Sequence, residues 1–307
     1  MALRGFAARL APVGEPWLRL RLSCTPTAMR MRRAALVGAP SGARALRLAL
    51  FPVSRAHPDK AAKGGEDAHF VLAAEPTGAR RVTAAGVADG VGGWADQGVD
   101  AGLYSRALMT WAHRRLADSE VPCVVDALAF SYRMTKVLGS CTACLALLRE
   151  EEDGGGVGQL ETLNLGDSGL LLARPGAGDD AGGAFDVVFK TTEQQHRFNM
   201  PYQLGTYSQD LPQHADLQTI DVRAGDVCIL ATDGVWDNVF EERLLEILSE
   251  AAGDYEAAAR KIAETAMRIG QSRSNTPFST KAWSVGIQHS GGKLDDVTVV
   301  LAHVVPS

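Results

Sequence analysis

The chain has 307 residues, 46% of them hydrophobic, and a formal net charge of −5 at pH 7. That composition supports a sizeable core in one large domain or two small ones. The acidic balance excludes nucleic acid as the main partner, because phosphate repels it, and no apolar run reaches the ~18 residues that a spanning helix needs.

The charge is unevenly placed. Residues 1–58 hold ten Arg, no Lys and one acidic residue, Glu15, so a segment of charge +9 precedes a body of charge −14. An Arg-rich, acid-poor stretch with Ala, Leu and scattered Ser reads as a largely disordered organellar transit peptide, for the mitochondrion or the plastid. The alternative is a disordered basic arm that binds nucleic acid, which the acidic body opposes. Residues 59–307 are then the folded domain.

In that domain a loop from Lys60 to Gly65 feeds an expected strand over 69–74, and a second over 81–88 ends at Asp89. A helix is expected over 101–116, with Leu103, Ala107, Leu108, Trp111 and Leu116 near one face, and another over 124–137 after Pro122. Short strands follow over 141–148, 160–165, 170–173 and 185–190, separated by Gly- and Asp-rich turns over 150–158 and 175–183 that should be exposed. Strands over 217–222 and 227–232 turn at Gly225-Asp226. Helices over 241–252 and 255–269 precede a loop over 272–292 and a last strand over 297–304. Strands cluster and helices fall in two groups, without steady alternation. This excludes a simple Rossmann or barrel pattern and gives an α+β fold, antiparallel sheets covered by helix pairs.

Five acidic blocks lie far apart in the chain, and most of them directly abut an expected strand. The blocks are Gly65-Glu66-Asp67, Asp89-Gly90, Gly166-Asp167-Ser168, Asp233-Gly234 with Asp237, and Asp295-Asp296. Asp beside Gly commonly makes turns at strand ends, but five such blocks along one chain can also converge. Two carboxylates at about 4 Å repel by roughly 4 kcal/mol at an effective dielectric near 20, so a converging set calls for bound cations. Oxygen-rich donors suit magnesium or manganese rather than zinc or copper.

Other motifs carry less. Cys141-Thr-Ala-Cys144 matches a C-x-x-C redox pattern, yet the residues after it read as a buried strand and not as a helix start that lowers a thiol pKa. The five cysteines lack framework spacing, which fits a reducing compartment. Cys24 to Arg30 has the spacing of a Cys-dependent phosphatase loop but lacks its glycines, and no phosphate-binding G-x-x-x-x-G-K-[ST] loop is present.

Taken in order, Gly65-Glu-Asp-Ala-His69, Val87-Ala-Asp-Gly90, Asn164-Leu-Gly-Asp-Ser168, Ala231-Thr-Asp-Gly-Val-Trp-Asp237 and Leu294-Asp-Asp-Val-Thr-Val299 resemble the metal-dependent protein phosphatase family, the protein phosphatase 2C-like Ser/Thr phosphatases. The resemblance spans 60–304. Residues 86–94, 193–199 and 291–296 are similar to the branch of the mitochondrial T-cell-activation protein phosphatase homologue. The family implies a four-layer αββα sandwich of two antiparallel sheets flanked by helix pairs, with a site for two Mn²⁺ or Mg²⁺ ions at one sheet edge. Carried over by motif, Asp89 bridges the ions and Gly90 offers its carbonyl. Glu66 acts through water, and Asp67 acts through water or outside the direct ligands. Asp233 and Asp295 complete the other ion's ligands. Asp167 and Asp237, with Asp233, resemble the group that takes a third, weaker ion in some members.

The reaction implied is direct attack of a metal-bridging hydroxide on phosphoserine or phosphothreonine, with Asp89, Asp233 and Asp295 catalytic through metal-bound water and no covalent phosphoenzyme. Two departures stand out. Val91 occupies the place of a His found in many members, leaving water, His69 or His196 to protonate the leaving group. Ala62 stands about where an Arg grips phosphate, leaving Lys60 and Lys63 as substitutes with point charges only, unless both are solvated loop residues. These departures motivate an alternative, a pseudophosphatase acting as a phosphoprotein-binding module. The branch further implies a monomer in the mitochondrial matrix, acting on phosphoproteins.

Overall fold

A computed structural model describes residues 45–74, 82–149, 156–176 and 183–307. Two five-stranded antiparallel sheets form its centre. The first runs β1 (Leu46–Arg55), β14 (Val297–Pro306), β13 (Val227–Ala231), β7 (Gly169–Pro175) and β8 (Phe185–Lys190). The second runs β12 (Asp216–Arg223), β6 (Val157–Leu165), β5 (Ala143–Arg149), β3 (Val82–Ala88) and β2 (Ala68–Leu72). Two short ladders flank the second sheet's loops, β9 (Gln195–Arg197) with β10 (Met200–Pro201) and β4 (Ser140–Cys141) with β11 (Leu204–Gly205).

Helices cover both outer faces. α1 (Ala101–Asp118) and α2 (Val124–Met134) lie on the second sheet, and α3 (Asp233–Trp236), α4 (Glu241–Glu250) and α5 (Tyr255–Gly270) on the first. The layering follows from strands that are apolar on both faces, as a sheet covered on both sides requires. In β5, Ala143, Leu145 and Leu147 meet the helices, while Cys144, Ala146 and Leu148 meet the other sheet. Each fully buried Leu contributes about 1.5–3 kcal/mol. The four-layer αββα sandwich is therefore what the chain forms.

Three expectations are corrected. Leu46–Arg55, inside the segment read as a leader, is strand β1, paired with β14 over its whole length, and Leu46 and Leu48 enter the core between the sheets. Arg47 faces outward on this edge strand and Pro52 is tolerated there, so two of the ten arginines that suggested a leader, Arg47 and Arg55, sit in a sheet. The folded domain thus begins before residue 59; the expectation for residues 1–44 lies outside the described residues. Second, Leu103 is exposed, and the buried stripe of α1 runs through Tyr104, Leu108, Ala112 and Leu116. Third, the expected loop over 272–292 contains α6 (Pro277–Ser284), started by a capping box between Thr276 and Ser279 with Pro277 in the first turn. The turns expected over 150–158 and 175–183 fall largely outside the described residues.

Cys141 and Cys144 are both buried and free, Cys141 in the core under the helices and Cys144 in the core between the sheets. They sit on opposite faces of the sheet and cannot form a bridge without moving the strand. Burial first, then nearby Asp89, raises the Cys141 thiol, and burial pushes Cys144 up to about 12. Neither is a thiolate at neutral pH.

Candidate metal centre

Antiparallel pairing gathers the acidic blocks. Ala68 opposes Ala88, so Glu66 and Asp67 before β2 meet Asp89 after β3. Ala231 opposes both Gly169 and Val299, so Asp233 after β13 meets Asp167 before β7 and Asp295 before β14. Two glycines let the loops touch. A Cβ on Gly90 would lie 2.6 Å from the Glu66 carbonyl oxygen, and one on Gly234 2.0 Å from that of Asp296. Neither has a positive φ. They serve close approach, not the turns that Asp-Gly pairs usually make.

Hydroxyl groups and one carboxylate then fix the geometry. The Asp89 N–H donates to Thr142 Oγ1 at 3.0 Å, and that oxygen lies 2.7 Å from Ser168 Oγ. Thr232 Oγ1 donates to Asp67 Oδ2 at 2.8 Å while accepting from the Thr298 N–H at 3.0 Å. Asp296 is 1% exposed and accepts from the His57 and Glu66 N–H groups at 2.6 and 2.9 Å. It ties the loop before β2 to the start of β14.

Three carboxylates, Asp89, Asp167 and Asp233, offer oxygens that all lie within 4.8 Å of one another. Asp295 borders this group: its Oδ1 accepts from Lys60 at 3.1 Å and from the Asp296 N–H at 2.9 Å. The centre of the cluster therefore includes Asp167, which motif transfer gave to a third, weaker ion. Glu66 is 1% exposed and paired with two ammonium groups, Lys60 at 2.7 Å and Lys63 at 2.8 Å. Lys60 also lies 3.2 Å from Asp296 Oδ2, and Lys63 3.6 Å from Asp100. The two lysines expected to grip phosphate are thus held by carboxylates of the site.

Lys293, which the sequence reading did not single out, bonds Asp233 Oδ2, with Asp237 Oδ2 at 2.9 Å and Asp295 Oδ2 at 3.8 Å. Its sequence signal is its place in the 291–296 motif, two residues before Asp295. The histidines considered as acids are paired elsewhere: His69 Nδ1 with Ser54 Oγ at 3.1 Å, and His196 Nε2 with Asp210 at 2.9 Å while its ring stacks on Tyr202.

The electrostatics favour a bound cation. Burial first, then neighbouring carboxylates, pushes Asp67, Asp89 and Asp167 well above the usual carboxylate range. Burial pushes Asp233 up to about 6 although Lys293 opposes it. Asp295 runs the other way, because Lys293 and Lys60 overcome the cost of its burial and hold it low. Asp67 Oδ1, Asp167 Oδ1 and Asp233 Oδ1 are buried with no hydrogen-bond donor among the described residues. Unsatisfied carboxylate oxygens cost free energy that a hard divalent cation recovers, and an all-oxygen donor set fits magnesium or manganese. A cavity of 420 Å³ opens beside Asp167, lined by Thr191, Glu193, Trp236, Glu241 and Lys281 among others.

No family model matches the chain. Probable protein phosphatase 2C 80 of Arabidopsis thaliana is 39% identical over 272 residues, 86% of this chain and 60% of that protein. The chain thus spans less than two thirds of that relative's length. The Protein phosphatase PTC7 homolog of Xenopus laevis is 38% identical over 262 residues, 78% of this chain and 81% of that protein. Among solved structures, the photosystem II phosphatase PBCP superposes with a TM-score of 0.70 and 31% identity, covering 83% of this chain and 98% of that one. The catalytic domain of the serine threonine protein phosphatase PstP in complex with 2 manganese ions gives 0.54 at 22% identity, covering 85% and 99%, a likeness of fold.

Proposed function

The chain belongs to the protein phosphatase 2C family, and from that membership we propose that it hydrolyses phosphoserine and phosphothreonine in proteins, in a reaction that depends on two Mn²⁺ or Mg²⁺ ions. The observation that carries the reading is the meeting of Asp89, Asp167 and Asp233 within 4.8 Å, with two of their buried oxygens lacking a donor among the described residues.

Asp89, Asp167 and Asp233 would hold the ions, with Asp295, Glu66, Asp67 and the Gly90 carbonyl around them. Divalent ions bound there neutralise the phosphoester and lower the pKa of water toward neutrality. The residues supply positioning. Thr142 and Thr232 aim Asp89 and Asp67, and Asp296 locks the loop that carries Glu66. Lys60, its ammonium among Glu66, Asp295 and Asp296, supplies the phosphate contact as a point charge, with Lys63 behind it. Val91 cannot protonate the leaving alkoxide, and His69 and His196 are paired elsewhere, so solvent water does. Peptide flanking the phosphorylated residue would enter the cavity beside Asp167, where Pro277, Thr280 and Lys281 of α6 form one wall.

The Arg-rich, acid-poor residues before β1 support import into the mitochondrion, with matrix phosphoproteins as substrates of a monomeric enzyme. Among the described residues no helix is long and apolar enough to cross a membrane.

Hydrolysis of a phosphothreonine peptide by the full chain tests the reading. Turnover should require Mn²⁺ or Mg²⁺, stop in excess chelator, and fall by orders of magnitude in D89N, which removes a ligand charge. Turnover that persists in chelator refutes it. Saturable Mn²⁺ binding without turnover would favour the phosphoprotein-binding module instead.

A further inference from the structure

Lys293 is built into the acidic cluster from both sides. Asn238, 1% exposed, brackets its backbone: Lys293 N–H donates to Asn238 Oδ1 at 2.9 Å, and Asn238 Nδ2 donates to the Lys293 carbonyl at 2.7 Å. The same Nδ2 donates to the Gly234 carbonyl at 2.9 Å, which fixes the bracket to α3. The ammonium lies 5.4 Å from the centroid of the Phe278 ring, and the side chain is 19% exposed. Held in this way, it bonds Asp233 Oδ2 and lies 2.9 Å from Asp237 Oδ2.

Asp233 is therefore divided. Its Oδ2 goes to Lys293, while its Oδ1 is buried without a donor among the described residues. An ion shared by Asp233 Oδ2 and Asp237 would sit about 2.0–2.1 Å from each oxygen, if it were magnesium. That position overlaps the ammonium, which already contacts both. The two cations exclude each other, and the tethered one is always present.

We propose that the Lys293 ammonium is a resident cation that takes the Asp233–Asp237 position, so that this site holds two divalent ions and has no place for a third. The proposal rests on the reading of Asp89, Asp167 and Asp233 as metal holders. It assigns Asp237 to Lys293 and not to a metal. It also predicts that Mn²⁺ binding saturates without a late, weak step.

Calorimetric titration of the metal-free full chain with Mn²⁺, with bound Mn²⁺ counted by electron paramagnetic resonance, tests it. Wild type should bind two ions. K293M should bind three, because Asp233 Oδ2 and Asp237 are released, and K293M/D237N should return to two. D237N alone should keep two ions with affinities within about threefold of wild type, far from the 10–100-fold loss that follows damage to a metal site. Three ions in wild type, two ions in a folded K293M, or a tenfold weakening in D237N each overturn the proposal. If K293M does not fold, the wild-type count and D237N decide. No saturable binding in wild type would overturn the metal-site reading itself, a different failure.

Discussion

Gly234→Ala puts a methyl group 2.0 Å from the Asp296 carbonyl oxygen and 3.1 Å from Val297 Cγ2. Real Cβ contacts essentially never fall under 3.0 Å, so α3 and the start of β14 must part by about 1 Å. Helix propensity alone points the other way, because alanine in a helix is worth about 1 kcal/mol more than glycine. Overpacking a tight contact costs about 1–3 kcal/mol, so the net effect is destabilising and the thermal midpoint should fall by a few degrees. The larger effect is chemical. The separation moves Asp233 away from Asp295, whereas metal ligands tolerate about ±0.2 Å and a 1 Å misplacement can cost about 100-fold in rate. Thermal melts of metal-free protein, Mn²⁺ calorimetry and turnover on a phosphopeptide at saturating Mn²⁺ read the three effects. A raised midpoint, or Mn²⁺ affinity and kcat within about twofold of wild type, would refute close approach as the purpose of this glycine.

A chain starting at residue 59 lacks β1 and should be insoluble or molten, since it removes Leu46 and Leu48 from the core, each worth about 1.5–3 kcal/mol; a cooperative melt at the wild-type midpoint would contradict this. In metal-free protein, Asp233 at about 6 against 3.8 in the unfolded chain binds its proton more tightly when folded. The stability this gives, about 3 kcal/mol, is complete below pH 4 and lost as pH rises through 6. Asp67, Asp89 and Asp167 shift in the same sense, and Asp295 titrates below this window. The metal-free midpoint should therefore fall between pH 4.5 and 6.5, and Mn²⁺ should flatten the curve; a rising metal-free midpoint would reverse the sign. Cys141 and Cys144, fully buried, should resist a thiol reagent until the protein unfolds, and rapid labelling of the native chain would revive a redox role.

Antiparallel sheets under helix pairs were legible because strands such as Ala143–Arg149 are short, apolar on both faces and bounded by turns. β1 was not, because Arg44, Arg47 and Arg55 gave its surroundings the composition of a leader while the alternation of Leu46, Leu48 and Leu50 was local and weak. The helix α6 was hidden by its eight-residue length, although Thr276, Pro277 and Ser279 are a start signal. At the site, the order of the acidic blocks announced convergence, but not which oxygens meet. Asp167 enters the central group because the β6–β7 turn places it across from Asp233, a fact of register. Lys60 and Lys63, read in sequence as phosphate contacts or solvated loop residues, and Lys293, not singled out there, are seen against carboxylates only in three dimensions, where ammonium groups are the available partners for carboxylates taken out of water.

On this reading the acidic cluster is a divalent-metal site with Lys293 as its fixed cation. Anomalous diffraction at the manganese edge, from crystals grown with Mn²⁺, tests it most directly. The account predicts two peaks, both touching Asp89 and its neighbours, and none between Asp233 and Asp237. An empty cluster at saturating Mn²⁺, or peaks only at other acidic residues, would contradict it.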